Sequence, residues 1–250
     1  MRSLSTENAV ELIKFAYESG ITLFDTARDY EDSENKLGYA LEPIRDKVII
    51  CSKMGDRLPA NFYGNLQGSL DCLKTNYIDI YCFQGMHSIV QYNKFMEKVM
   101  PDMIKIRDRG IIHKIGITGH NLETMMEAFK NPDIDVYEFP MNILYKEPIQ
   151  NFLPLFKNNK KILFVMKPIG GPDNYHFFRD REELKPYRND LNEWFEPTLA
   201  LSYLKQFTEI TSILLGFTEK QQVTKDIKIM NENLIDVNKR IEELENKGKT

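Results

Sequence analysis

The side chains best suited to chemistry follow, or end, short apolar runs that recur along the chain. They are two carboxylates, two lysines, an amide, a hydroxyl and an imidazole: Asp25, Glu138, Lys53, Lys167, Gln84, Thr118 and His120. Such groups exchange protons and hydrogen bonds, as acid–base catalysis and the binding of a polar ligand require. If the apolar runs are parallel strands, these side chains meet at the carboxyl ends of the strands and predict a site there.

Seven runs rich in β-branched or aromatic residues are candidate strands. They are residues 21–27, 48–54, 78–84, 114–120, 136–142, 162–168 and 212–217. Amphipathic stretches of helical period separate them, and the first begins with Ser5 or Thr6 as N-cap and stops at Gly20. Apolar strands that alternate with single helices predict a parallel sheet buried on both faces, and therefore an α/β fold.

Two α/β architectures fit this order of elements: an open doubly wound sheet and a closed (β/α)8 barrel of the TIM type. No G-x-G-x-x-G turn follows a strand, and the polar residues follow many different strands. That distribution is typical of a barrel, which builds its site from several strand ends. We therefore predict a (β/α)8 barrel. Only seven strands are counted because a helix comes first, so the first strand of the barrel is expected to be missing or disguised.

Composition narrows the classes of protein and of partner. The 250 residues are 42% hydrophobic and 28% charged, as in a soluble globular protein. A net charge of −4 argues against nucleic acid as a partner. No apolar run approaches the roughly 18 residues of a membrane helix, so no membrane contact is expected. The three cysteines form no C-x-x-C pair and the four histidines have no metal-ligand spacing, which predicts a cytoplasmic protein without a metal.

Residues 1–250 are predicted to form a single barrel domain, because no linker, repeat or low-complexity tract divides them. Residues 231–250 are highly charged, with apolar residues at helical spacing, and predict a C-terminal helical tail. The longest irregular segment covers residues 170–197. Loops of this length are usually functional or disordered.

Residues 24–34 read F-D-T-A-R-D-Y-E-D-S-E and precede an amphipathic helix. This segment resembles the signature of the aldo-keto reductase family. Further blocks resemble the family in the same order, namely S-K at 52–53, Y-I-D-I-Y at 77–81, K-I-G-I-T-G-H-N at 114–121, M-K-P-I-G-G at 166–171, glycine at 216 and Q-V at 222–223. The ordered set is far more specific than any one block.

The resemblance implies a reductase that takes NADP, or alternatively NAD, and a small-molecule carbonyl substrate. Carbonyl reduction needs a hydride and a proton donor, and a tyrosine can be that donor if a nearby cation lowers its pKa from about 10. The resemblance assigns proton donation to Tyr30. It assigns stabilisation of the phenolate to Lys53, and pairing with that lysine to Asp25.

Gln84 stands at the fourth catalytic position, where the family usually has a histidine. A neutral amide can orient a carbonyl through its N–H groups, but it cannot titrate. The resemblance therefore implies that Gln84 orients the substrate and that carbonyl reduction is altered or weak. His87, three residues further on, is the alternative donor, although a loop histidine at that offset is more often incidental.

The resemblance also implies a set of cofactor-binding residues: Thr118, Glu138, Met166, Lys167, Gly170, Gly216, Thr218, Gln222 and Asp226. Thr118 and Glu138 would hold the nicotinamide amide, with Glu138 in place of the usual glutamine. Gln222 replaces the arginine that is usual in NADP-preferring members, so the resemblance leaves the preference between NADP and NAD open. A helix that begins near Glu219 would present free N–H groups to a phosphate.

Two functions are consistent with these residues. The first is NAD(P)H-dependent reduction of a carbonyl, or of a conjugated double bond, on a small molecule. The second is a catalytically weak relative that binds the cofactor as a sensor or scaffold subunit. Because the family begins with a hairpin and a first strand, the edge beside residues 21–27 is expected to be covered by the long loop, by the tail or by a second subunit in a homo-oligomer.

Overall fold

The computed structural model describes residues 4–55, 59–170 and 190–247. The strands within these ranges are β1 (Leu23–Asp25), β2 (Ile49–Lys53), β3 (Ile78–Met86), β4 (Ile112–Gly119), β5 (Val136–Pro140), β6 (Ile162–Met166) and β7 (Ser212–Ile213). The α-helices are α1 (Thr6–Glu18), α2 (Ser33–Leu41), α3 (Phe62–Leu73), α4 (Ile89–Lys98), α5 (Met100–Asp108), α6 (Leu122–Phe129), α7 (Glu147–Asn151), α8 (Leu191–Trp194), α9 (Pro197–Leu204), α10 (Lys220–Asn231) and α11 (Val237–Lys247). Short 3-10 segments occupy Glu42–Lys47, Pro59–Asn61 and Leu153–Phe156.

The seven strands form one sheet in the order β1 to β7. The pairs β1–β2, β2–β3, β3–β4, β4–β5 and β6–β7 are parallel. All seven predicted strands are therefore confirmed, and in the described part of the chain no strand precedes α1. The predicted bounds differ at the last strand, where only two residues pair although six were expected.

Helix α1 begins and ends where the sequence predicts. The hydroxyl of Ser5 accepts a hydrogen bond from Asn8 N at 3.3 Å, which caps the first turn. The buried face carries Leu12 and Ile13. The chain leaves the helix through Gly20, whose φ of 100° suits only a residue without a side chain.

The described residues fall into two compact units. The first unit is drawn from residues 1–138, 160–162 and 216–223, and the second from residues 139–159, 163–215 and 224–250. In the first unit α2 packs so closely on α3 that a Cβ on Gly38 would lie 2.3 Å from the Cys72 carbonyl oxygen. In the second unit Phe152 packs edge-on against Phe139 and Phe156. The single domain over residues 1–250 stays a prediction.

The predicted tail contains helix α11, which is joined to α8 within the second unit. Glu193 accepts from Arg240 Nη2 at 2.9 Å and from Lys247 Nζ at 3.0 Å. Of the long irregular segment predicted over residues 170–197, residues 171–189 lie outside the described part of the chain. No helix that the structure describes is long and apolar enough to cross a membrane.

A buried arginine joins the amino ends of β2 and β3 in the first unit. Arg45 donates to the carbonyl oxygens of Val48 and Tyr77, at 3.1 and 3.0 Å, and to Asp79 Oδ2 at 2.7 Å. Asp79 Oδ2 also accepts from Ile50 N at 2.9 Å. We call Arg45 and Asp79 the arginine anchor. Because it ties backbone to side chains, it fixes how the two strands begin.

Candidate active site

Three charged side chains meet at the carboxyl ends of β1, β2 and β5. Asp25 is paired with Cys51 in the β1–β2 register, and Lys53 lies two residues further along the same face of β2. Lys53 Nζ donates to the Asp25 carboxylate and, at 2.9 Å, to the carbonyl oxygen of Thr26. It also lies 3.2 Å from Glu138 Oε2. We call Asp25, Lys53 and Glu138 the ionic cluster.

The ionic cluster is almost closed to water. The Lys53 side chain is 1% exposed and that of Glu138 is 5% exposed, while Asp25 is 18% exposed. Burial therefore disfavours the charge of Lys53, but the nearby carboxylates of Asp25 and Glu138 outweigh it and raise the pKa of the lysine well above its usual value. The ammonium stays protonated throughout the physiological range.

Tyr30 lies in the loop after β1, half-buried beside the ionic cluster. Its ring centroid is 5.9 Å from Lys53 Nζ, within the range of a cation–π contact. The structure thus brings together the three residues that the sequence analysis assigned to proton donation, phenolate stabilisation and lysine pairing. It adds Glu138, which was expected only to hold a cofactor amide.

The charge of Lys53 lowers the pKa of Tyr30 as expected, but the pKa is raised overall. Burial raises the pKa of the phenol, and Lys53 opposes this rise. The negative charge of Glu138, once this residue is ionised, and those of Asp25 and Asp29 then add to it. One ammonium cannot offset the loss of water together with three carboxylates. The tyrosine is therefore a neutral O–H donor at physiological pH.

Gln84 lies on β3, and its side-chain oxygen is shielded from solvent. Among the described residues this Oε1 accepts no hydrogen bond, and Gln84 makes none with the ionic cluster. Next to it, Gly85 N donates to Thr118 Oγ1 at 3.0 Å. The alternative donor His87 is exposed and stacks on His120, with ring centroids 5.9 Å apart. Gln84 thus offers a shielded amide oxygen that the described protein leaves open for hydrogen bonding.

Glu34 is a buried carboxylate that bonds the residue next to Lys53, and the sequence analysis gave it no role. Glu34 Oε1 accepts from Ser52 Oγ at 2.6 Å, and Glu34 Oε2 accepts from Arg28 Nη1 at 2.9 Å. These bonds tie the start of α2 to the strand that carries Lys53. A signal was present: Glu34 lies on the same helical face as Leu37 and Leu41, which are fully buried.

Three of the predicted cofactor-binding residues lie at or after the end of β6 in the second unit. Met166 ends the strand, and Lys167 follows with φ 58°. Gly170 has φ 71°, and a Cβ on it would lie 2.6 Å from the ring of Phe195. The lack of a side chain at Gly170 therefore allows an aromatic ring of the protein to lie against it.

In the predicted phosphate loop after β7, the Gln222 side chain occupies backbone N–H groups. Gln222 Oε1 accepts from Thr218 N at 2.8 Å and from Glu219 N at 3.3 Å. These N–H groups were expected to be free for a phosphate. Gly216 is exposed, and nothing lies within 4 Å of a Cβ built on it. Burial raises the pKa of Asp226, four residues along α10 from Gln222.

Taken together, the α/β sheet and the polar residues at its strand ends define an enzyme-like barrel with a buried ionic cluster beside a tyrosine. The Aldo/keto reductase family model matches residues 2–246. The chain belongs to the aldo/keto reductase family.

Individual relatives agree with this. The chain is 24% identical over 280 residues to a protein of Escherichia coli named NADH-specific methylglyoxal reductase, and the match covers 93% of this chain and 86% of that protein. An aldo-keto reductase of Bacillus halodurans in its holo form matches with TM-score 0.76 and 20% identity, over 97% of this chain and 88% of that one.

A crystal structure of an aldo-keto reductase from Klebsiella pneumoniae in complex with NADPH matches with TM-score 0.75 and 18% identity, over 98% of this chain and 87% of that one. These likenesses confirm the predicted fold class, a TIM-type (β/α)8 barrel. The seven strands of the described residues agree with the expected lack of the first strand.

Proposed function

We propose that this protein reduces the carbonyl group of a small molecule with NADPH or NADH. The observation that carries the proposal is the buried ionic cluster beside Tyr30. An alkoxide that forms at a carbonyl carbon must take up a proton. A neutral phenol can donate that proton, and a permanently charged ammonium beside it stabilises the phenolate that is left. A conjugated double bond is the alternative acceptor.

In this proposal each residue has one task. Tyr30 gives its hydroxyl proton to the developing alkoxide and becomes a phenolate. Lys53 stabilises that phenolate, because its ammonium is held charged beside the ring. Asp25 fixes the ammonium through a direct hydrogen bond. Gln84 orients the substrate oxygen with its amide.

The donor set near the ionic cluster suits a nicotinamide amide. The Thr118 hydroxyl keeps its own proton to donate after it has accepted from Gly85 N, and the Glu138 carboxyl group can accept from an amide N–H. Thr118 also lies opposite Glu138 in the β4–β5 register. When bound, the dinucleotide supplies the hydride. Thr118 and Glu138 would hold its amide, and Met166, Lys167 and Gly170 its ring and phosphates.

The adenosine end of the dinucleotide is the weaker part of the proposed site. Gly216, Thr218, Gln222 and Asp226 would contact it, but Gln222 is neutral and already takes the N–H groups of the loop. Nearby, Lys225 is paired with Glu196 at 3.2 Å. The neutral Gln222 and the pairing of Lys225 with Glu196 favour NADH over NADPH, in line with the name of the relative from Escherichia coli.

The proposal is tested by fluorescence titration with NADH and NADPH, followed by reduction of methylglyoxal. Tyr30→Phe is the matched variant, because it removes only the hydroxyl. It should bind cofactor normally and lose about 100-fold to 10,000-fold in turnover. Absence of binding to either cofactor, or full turnover by Tyr30→Phe, would overturn the proposal.

A second candidate is a cofactor-binding sensor or scaffold subunit with little catalysis. The observation that favours it is Gln84, whose amide cannot share the proton load with Tyr30. This candidate expects normal cofactor binding and no turnover of any small carbonyl by the unaltered protein. The same titration and assay therefore separate the two functions.

A further inference from the structure

The charges of the ionic cluster do not balance. Two carboxylates, Asp25 and Glu138, face the single ammonium of Lys53. If both acids were ionised, the cluster would carry one negative charge where almost no water reaches it. An uncompensated buried charge is strongly unfavourable, and such a group takes up a proton instead.

Among the described residues of the first unit, no second cation lies beside Glu138. Within the first unit, the charged or titratable neighbours are Asp25 from β1, Tyr30 from the loop after β1, and Cys51 and Lys53 from β2. Its hydrogen bond with Cys82 and its burial raise the pKa of the Cys51 thiol, so that this group stays neutral. The residue of β4 opposite Glu138 is the uncharged Thr118.

The two carboxylates differ in their exposure and in how they contact Lys53. Asp25 is the more exposed and accepts a direct hydrogen bond from Nζ. Glu138 is more deeply buried and lies 3.2 Å away. The proton that restores neutrality therefore belongs on Glu138, because water stabilises the charge of Asp25 and the ammonium is aimed at it.

We propose that Glu138 keeps a proton in the resting site and that its ionisation, acting beside Lys53, weakens Tyr30 as an acid. Glu138 is then a positioning residue for the proposed reduction, on which this inference rests. Protonated, it leaves a neutral Asp25–Lys53 pair next to the phenol. Ionised, it adds a negative charge that opposes formation of the phenolate.

The acid–base properties of the two residues agree with this geometry. Burial and the charge of Asp25 raise the pKa of Glu138 to about 7, with Lys53 opposing the rise. Among the charges that raise the pKa of Tyr30, Glu138 acts more strongly than Asp25. Proton donation by Tyr30 should therefore weaken as pH rises through neutrality.

The first test follows Glu138 in the protein without cofactor, by NMR of protein labelled with 13C at the glutamate side-chain carboxyl. Glu138→Gln, which keeps size and shape, identifies the resonance. We expect this resonance to titrate near pH 7 and to be absent from the variant. Titration below about pH 5, as for an ordinary glutamate, would overturn the proposal.

Asp25→Asn is the matched control variant, because it removes the other carboxylate from the same lysine. Glu138 then becomes the one anion left for Lys53, and its titration should move down by about one pH unit or more. An unchanged titration in this variant would mean that the three residues are not coupled, and the proposal would fail.

The second test follows Tyr30 by NMR of protein labelled with 13C at the tyrosine ζ carbon, assigned with Tyr30→Phe. Glu138→Gln should lower the pKa of Tyr30 by roughly half a unit or more, which a merely structural role would not do. In the assay, kcat/KM of the unaltered protein should fall about 3-fold or more from pH 6 to pH 8, while that of Glu138→Gln stays flat.

The outcomes separate the two proposals. If both titrations behave as expected but no carbonyl is reduced, the proposed function fails and the protonated Glu138 stands. If carbonyl reduction is found but Glu138 is already ionised at pH 5, the inference fails and the proposed function stands.

Discussion

The first unit holds two buried ionic networks at opposite ends of its strands, and they differ in how fully their groups are bonded. At the amino ends, the arginine anchor pairs one cation with one carboxylate. Its remaining donors bond Thr75 Oγ1 and the carbonyl oxygens of Val48 and Tyr77. At the carboxyl ends, the ionic cluster sets two carboxylates against one ammonium, and the Gln84 amide beyond it is left open.

The completeness of its hydrogen bonds distinguishes a structural network from a functional one. In the arginine anchor each guanidinium nitrogen of Arg45 has a protein acceptor, so the network stabilises the fold. In the ionic cluster Glu138 has a raised pKa, and outside it the shielded side-chain oxygen of Gln84 accepts no hydrogen bond from the described residues. Such incomplete networks are typical of sites that bind and react.

The largest effect is expected for Lys53→Met, which removes the cation of the ionic cluster. Turnover should fall by about 100-fold to 10,000-fold, because the phenolate of Tyr30 loses its counter-charge. Steady-state kinetics would measure this.

Lys161→Met is the control for that variant. Its ammonium is also partly buried, but it donates to the carbonyl oxygens of Asn131 and Ile134 and lies in no ionic cluster. It should keep normal turnover once folded. If Lys53→Met retained more than about a tenth of the activity, the ionic cluster would not be catalytic.

Arg45→Met should act on stability instead. Asp79 would be left partly buried without its cation, and two carbonyl oxygens would lose their donor, so we expect a loss of about 3 kcal/mol in the free energy of unfolding. Urea denaturation measures this loss. Turnover of the folded fraction should be unchanged, and a selective loss of turnover would contradict the distinction between the two networks.

Glu138→Gln should change how stability depends on pH. The pKa of Glu138 is about 7 in the folded protein and 4.5 when the residue is unperturbed, so the folded state binds more protons between these values. Stability from this group is full below pH 4.5 and is lost as pH rises to 7.

Relative to Glu138→Gln, the unaltered protein should therefore lose on the order of 2 kcal/mol between pH 5 and pH 8. Paired urea denaturations at the two pH values give the difference. Parallel behaviour of the two proteins would show that Glu138 has no raised pKa.

Gln84→His should have the smallest effect of the set. An imidazole can share the proton load that the amide cannot, and turnover of simple aldehydes should rise about 10-fold, which is about 1.4 kcal/mol. Cofactor affinity should not change. Unchanged turnover with normal cofactor binding would favour the scaffold function instead.

Much of the fold could be predicted from the sequence because helices and strands leave local patterns of residues. Helical periodicity and the Ser5 cap predicted α1, and apolar runs predicted all seven strands. The juxtaposition of Asp25, Tyr30 and Lys53 was also predictable, since parallel strands end at one edge of a sheet. The two-residue length of β7 was not, because an apolar run does not tell how many of its residues find a partner.

The residue types and their spacing were enough to predict which residues stand at the strand ends, and therefore the class of chemistry and the family. How those residues share charge and hydrogen bonds depends on the folded chain. Folding brought Glu138 to Lys53, raised the pKa of Tyr30 instead of lowering it, and turned Gln222 onto the loop that it follows. Burial and distances between strands remote in sequence set these properties, and no local pattern of residues encodes either.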